Sequence, residues 1–215
     1  MKPLIITFTG IDGSGKSTIS KALVEKMKTK NIDAIYLWWF EAENSLFRRI
    51  LRNFSGPKKE KNAVKTKKLP ESSVIKTLYQ CMVLLDYQRQ TIFKVWLPSH
   101  LGKTIICDRY IYDIVVSFAM EFGYSKEKAK EMLSFLKSIS PAPDIEFYVD
   151  IPPQIALSRK NDIVSLEHHT ELRRWYLDLV AENMIMLDGT KSLHELNTLV
   201  WEHIERLLEN RRAHE

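Results

Sequence analysis

The chain is poor in cysteine and glycine, and no long apolar run interrupts it. Two cysteines among 215 residues cannot make a disulfide framework for a domain of this size. Cys81 falls in an apolar helical stretch and Cys107 ends an apolar strand-like run, so both read as reduced core residues. Seven glycines and eight prolines exclude collagen-like and low-complexity classes. No apolar stretch approaches the ~18 residues that a spanning helix needs. The short run Leu4–Phe8 is broken at once by Gly10, Asp12 and Gly13, which leaves no signal-peptide core. The expectation is a cytoplasmic protein with no membrane contact.

A basic excess is also absent once its location is considered. The formal net charge is +5, which would suggest a polyanionic partner. However, the stretch Pro57–Lys68 carries six Lys and one Glu, and outside it basic and acidic residues balance. A single local run reads as a solvated loop rather than a nucleic-acid surface, with anion contact as the second reading. The rest is ordinary globular composition, 45% hydrophobic and 27% charged. A chain of this length can bury a core without staples, and 1–215 reads as one domain.

Apolar strand-like runs alternate with amphipathic stretches. Strands are expected at Leu4–Thr9, Ala34–Trp39, Thr104–Cys107, Ile145–Val149 and Met184–Leu187. Helices are expected at Lys16–Lys28, Ser45–Leu51, Ser72–Leu97 (ended by Pro98), Tyr110–Phe122, Lys126–Ile139, from Pro153, at Leu166–Ala181 and at Leu193–Leu208. Continuous apolar strands separated by helices predict an α/β fold, with a five-stranded parallel sheet between helical layers.

The strongest chemical signal is Gly10-Ile11-Asp12-Gly13-Ser14-Gly15-Lys16-Ser17. It fits the phosphate-binding pattern G-x-x-x-x-G-K-[ST], with a buried strand entering and a helix leaving. Triphosphate oxygens need donors at close range. The glycines let the backbone approach, and successive N–H groups with the helix N-terminus face the anion. Lys16 can reach the β- and γ-phosphates, and the Ser17 hydroxyl can ligate Mg²⁺. Residues Gly10, Asp12, Gly13, Ser14, Gly15, Lys16, Ser17 and Thr18 are therefore the candidate triphosphate site. The second signal is an apolar strand ending in Asp108-Arg109-Tyr110. Asp108 can hold Mg²⁺ directly or through water, and Arg109 can neutralise charge developing on a transferred phosphoryl group.

With these residues in hand, the sequence resembles the thymidylate kinases, a branch of the P-loop nucleoside-monophosphate kinases. The matching segments are Phe8–Thr18, Asp108–Tyr110 and Pro143–Lys160, with Leu172–Ala181 and Leu187–Gly189 resembling the helix after the lid and the last strand. The resemblance implies a P-loop NTPase fold with a short lid at about 159–165, and usually a homodimer. It also implies that the triphosphate is ATP, that Asp12 contacts the acceptor sugar or metal, that Arg109 holds the acceptor phosphate, and that Arg159 begins the lid and contacts ATP phosphates. Lys16, Asp108, Arg109 and Arg159 are thus the expected catalytic set, with Ser17 and Asp108 as metal ligands.

Three departures bear on the acceptor. Trp38–Asn44 stands where the family has an Arg-Glu-Pro type segment, with Arg48 and Arg49 a turn later. Ile111–Met120 carries Asp113 and Ser117 where small residues and an Ala-Tyr-Gln are usual. The lid stretch Arg159–Asp162 offers only one Arg and one Lys. The expected reaction is transfer from ATP–Mg²⁺ to a nucleoside monophosphate, dTMP first. A hydroxyl acceptor on a nucleoside, sugar or lipid precursor is the alternative, and an ATP-binding switch or nucleic-acid module ranks last. Several further residues have two readings. Tyr79, Tyr87, Gln88 and Arg89 suit base recognition or helix packing. Trp38, Trp39 and Phe40 suit an acceptor pocket or, more ordinarily, the core. Arg173 and Arg174 face phosphate or pair with Glu167 or Asp178. His168 and His169 lack metal-ligand spacing and read as exposed.

Overall fold

The computed structural model describes residues 2–38, 73–159, 165–180 and 184–213. The Lys-rich stretch, the expected helix Ser45–Leu51 and lid residues 160–164 lie outside them. Five parallel strands make one sheet in the order β2-β3-β1-β4-β5. They are β1 (Ile5–Thr9), β2 (Ala34–Trp38), β3 (Thr104–Asp108), β4 (Ile145–Asp150) and β5 (Ile185–Asp188). The helices are α1 (Lys16–Thr29), α2 (Ser73–Thr91), α3 (Leu97–His100), α4 (Ile111–Phe122), α5 (Lys126–Ile139), α6 (Pro153–Arg159), α7 (Leu166–Leu179) and α8 (Leu193–Arg212).

Strand side chains alternate between two cores, which is why the expected three layers form. Ile6, Phe8, Ile106, Phe147 and Val149 point to the face covered by α1 and α8, meeting Ile19, Leu23, Val200 and Ile204. Ile5, Ile105, Cys107 and Tyr148 point to the other face, against Val83, Tyr87, Val115, Leu136 and Tyr176. Phe8 and Phe147 stack across β1 and β4 with centroids 5.0 Å apart. The register sets Ile6 beside both Ile106 and Ile145. β1 is central, and strand order reverses on its two sides. In such sheets ligands bind at the carboxyl ends of the strands beside that switch, where the motif loop after β1 and the Asp108–Arg109 turn after β3 both lie.

Some local expectations change. The long helix does not end at Pro98. A π-type bond from Leu97 N to Ile92 O widens it over Ile92–Trp96, and Pro98 follows in the first turn of α3. Cys107 is buried, but Cys81 is exposed, so its place in an apolar stretch did not make it a core residue. His169 is buried at 1% exposure, against expectation. It lies two helical turns before Tyr176, on the same buried side of α7. Among the described residues no helix is long and apolar enough to cross a membrane.

Candidate active site

The loop between β1 and α1 is shaped by two close backbone approaches. At Gly10 (φ +142°) a Cβ would stand 2.5 Å from the Val149 carbonyl oxygen, and at Gly13 (φ +83°) 2.4 Å from that of Ala156. Only glycine fits either place. Gly15 caps α1 in the left-handed region, and a Cβ there would meet nothing within 4 Å. The first turn of α1, Lys16 to Thr18, lines the cleft, and a helix N-terminus there favours an anion.

Lys16 folds back into its own loop. Its ammonium donates to Gly10 O at 2.8 Å, Ile11 O at 2.7 Å and Ser14 Oγ at 3.2 Å. Burial, then the nearby Arg109 charge, lowers its pKa from 10.5 to about 8, against partial support from Asp113, Asp12 and Asp108. Ser17 Oγ donates to Asp108 Oδ2, and Tyr36 OH donates to the same oxygen at 2.8 Å. Burial and that hydrogen bond raise Tyr36 to about 12, so its hydroxyl remains a donor. Asp108 Oδ1 is buried with no partner among the described residues. A lone carboxylate oxygen beside a Ser hydroxyl fits Mg²⁺, which takes one or two protein oxygens and completes its shell with water and phosphate. The lack of any cluster of three metal-ligating side chains among the described residues is compatible with that mode.

Arg109 has a left-handed backbone, φ +82°, which is strained for a non-glycine residue. Its guanidinium bridges two carboxylates. NH1 donates to Asp113 Oδ1 at 3.2 Å, and NH2 pairs with Asp12 Oδ1. Arg159 NH1 donates to the Gly189 carbonyl at 2.9 Å. Together the motif loop, Tyr36, Trp38, Arg109, Arg159 and the turn Gly189–Leu193 line one cleft of about 960 Å³.

The structure thus brings all the expected residues from Gly10 to Thr18, with Asp108, Arg109 and Arg159, to one sheet edge. Trp38 is half exposed at this cleft rather than in the core; Trp39, Phe40, Arg48 and Arg49 lie outside the described residues. Tyr87 is fully buried, which favours packing over base recognition. Arg89 pairs with Asp86. Arg173 pairs neither with Glu167 nor with Asp178. It grips Asp150 through two bonds of 2.8 Å, while Asp178 takes Lys126. Sequence reasoning missed Tyr36, Tyr176 and the Gly189–Leu193 turn. The turn was findable, since Asp188-Gly189 ends a strand at the same sheet edge as the motif loop.

This fold and cleft define a P-loop nucleotide-binding protein of the phosphotransferase type. A family profile described as thymidylate kinase matches residues 8–200, and the chain belongs to that family. Among similar proteins, the thymidylate kinase of Leptospira borgpetersenii serovar Hardjo-bovis is 28% identical over 97% of this chain and 95% of its own. That of Mycoplasmopsis agalactiae is 26% identical over 99% and 98%. That of Caldanaerobacter subterraneus subsp. tengcongensis is 26% identical over 97% and 98%. Membership makes this chain a nucleotide-binding kinase, and the hydroxyl-acceptor alternative is not favoured.

Proposed function

We propose that the chain is a single P-loop kinase domain that transfers the γ-phosphoryl group of ATP to dTMP, giving dTDP. The observation that carries the reading is the meeting of Ser17 and Asp108 beside Lys16, within the same cleft as Arg109. Mg²⁺, when bound by Ser17 and Asp108, would neutralise phosphate charge. Gly10, Asp12, Gly13, Ser14, Gly15 and Thr18 shape the donor site, and Lys16 supplies a fixed ammonium. Arg109 holds the acceptor phosphate, and Arg159, opening a short lid at about 159–165, contacts the donor phosphates. Positioning and charge neutralisation suffice for such a transfer. That similar proteins are thymidylate kinases supports the acceptor. The two free thiols support a reducing, cytoplasmic setting.

A homodimer belongs to the same proposal. Val74, Leu78, Cys81, Leu85 and Ile92 are exposed along α2 and its continuation, spaced by three, four and seven as in a helix–helix seam. A second copy offers the matching stripe. Leu85→Glu is expected to turn a dimer into a monomer by light scattering, and a monomeric unsubstituted chain would remove the dimer.

The test of function is ADP formation from ATP–Mg²⁺ with dTMP, dUMP, other nucleoside monophosphates, nucleosides and sugars, with Lys16→Ala as blank. Turnover that depends on dTMP is expected. Turnover only with an uncharged acceptor would overturn the reading.

A further inference from the structure

Asp113 lies in the first turn of α4, and it is buried at 8% exposure. It is nonetheless fully used. Oδ2 accepts from Thr9 Oγ1 at 2.8 Å and from the Tyr110 backbone N–H at 3.0 Å. Oδ1 accepts from Arg109 NH1 at 3.2 Å and from Tyr176 OH at 2.8 Å. Four donors thus converge on one carboxylate from the end of β1, the β3–α4 turn and α7. Tyr176 is buried, and burial with the adjacent Asp113 charge raises its pKa well above 10, so its hydroxyl remains a donor.

The two acids on Arg109 differ in kind. The Asp12 side chain is 39% exposed and lies at the cleft, whereas that of Asp113 is 7% exposed and tied to three further donors. An incoming anion can displace the first, while the second stays. A left-handed arginine needs surroundings that over-determine it. Asp113 supplies them, because it holds both the guanidinium of Arg109 and the next backbone N–H.

We propose that Asp113 is a positioning residue that fixes Arg109 for the acceptor phosphate, and that Tyr176 ties this fixation to α7, the helix that follows the lid segment. The proposal rests on the reading of Arg109 as the acceptor-phosphate ligand. It makes the acceptor site of this chain depend on where α7 sits, through one hydroxyl. Replacement by Asn sets an NH₂ group against donors on one side and removes the charge that faces Arg109.

The test compares Asp113→Asn and Tyr176→Phe with the unsubstituted chain in steady-state kinetics, with melting temperature measured alongside. Hydrogen bonds to a charged group are among the stronger ones. Asp113→Asn is therefore expected to raise the KM for dTMP at least about tenfold, with the KM for ATP changed less than about twofold. Tyr176→Phe should raise the KM for dTMP about threefold, and it keeps the proposal testable should Asp113→Asn not fold. A purely structural role would lower the melting temperature and move both KM values together or neither, and either result overturns the proposal. Failure of the underlying reading looks different, because the unsubstituted chain would then turn over no dTMP. In that case the variants are read by calorimetric titration with inorganic phosphate in the presence of saturating ADP–Mg²⁺, which fills the phosphate loop. Weaker phosphate binding in both is expected, and unchanged binding overturns the proposal.

Discussion

The phosphate loop and the Arg109 cluster sit in one cleft but are built on opposite plans. The loop draws its ligand-facing groups from nine consecutive residues, Gly10 to Thr18, and even its lysine is held by the carbonyls of Gly10 and Ile11. The Arg109 cluster draws on Thr9, Asp12, Asp113 and Tyr176, so three stretches of chain must meet before one guanidinium is fixed. A local device of backbone dipoles works wherever its strand and helix go. A distributed device works only if the sheet, α4 and α7 are all in register. A change in one distant element can therefore loosen the Arg109 cluster while the phosphate loop stays intact.

The sharpest way to break this contrast is Lys16→Ala. It leaves the Arg109 cluster in place and should lower turnover by at least ~10²-fold, about 2.7 kcal/mol of transition-state stabilisation. Steady-state ADP formation checks it. Unchanged turnover would remove Lys16 from the chemistry.

Next is Gly13→Ala, which tests one of the two places where the loop is seated on distant chain. The added Cβ meets the Ala156 carbonyl of α6, and the left-handed backbone alone costs roughly 1–3 kcal/mol. Thermal melting should show a loss of about 5 °C or more. Gly15→Ala carries the backbone strain without a clash, since its Cβ meets nothing within 4 Å, and should lose less. Equal losses would mean that the seat on α6 contributes nothing.

The smallest effect is expected at Arg173→Ala. The pair with Asp150 is partly exposed and should be worth about 1 kcal/mol or less, no more than about 2–4 °C in melting temperature. Its pH dependence is more telling. Hydrogen bonds from Arg173 hold the Asp150 carboxyl below the usual carboxylate range. That stabilisation is present above the unfolded carboxylate pKa, about 4, and is lost as pH falls through the lowered folded value. Arg173→Ala should therefore flatten the acid limb of a stability–pH curve. An unchanged limb would show that the pair is not formed in solution.

Sequence and tertiary structure contributed at different ranges. The alternation of apolar strands with helices was readable because strands buried on both faces leave continuous apolar runs, and β1, β3 and β4 appear within a residue or two of expectation at each end. The phosphate loop was readable because its chemistry needs neighbouring residues at fixed spacing. Helix-face detail was less legible. His169 and Cys81 were misjudged because a rotation of 100° per residue decides burial, and which face of α2 or α7 meets the sheet depends on contacts made far along the chain. Arg173 found Asp150, 23 residues away, rather than a neighbour on its own helix. The hub at Asp113 could not be read at all. A sequence shows an Asp four residues after an Arg, but that Thr9 and Tyr176 arrive at the same carboxylate follows only from a parallel sheet that seats α4 and α7 on one face. Short-range spacing is encoded in the chain itself, whereas convergence of distant donors on one buried charge exists only after the core has closed.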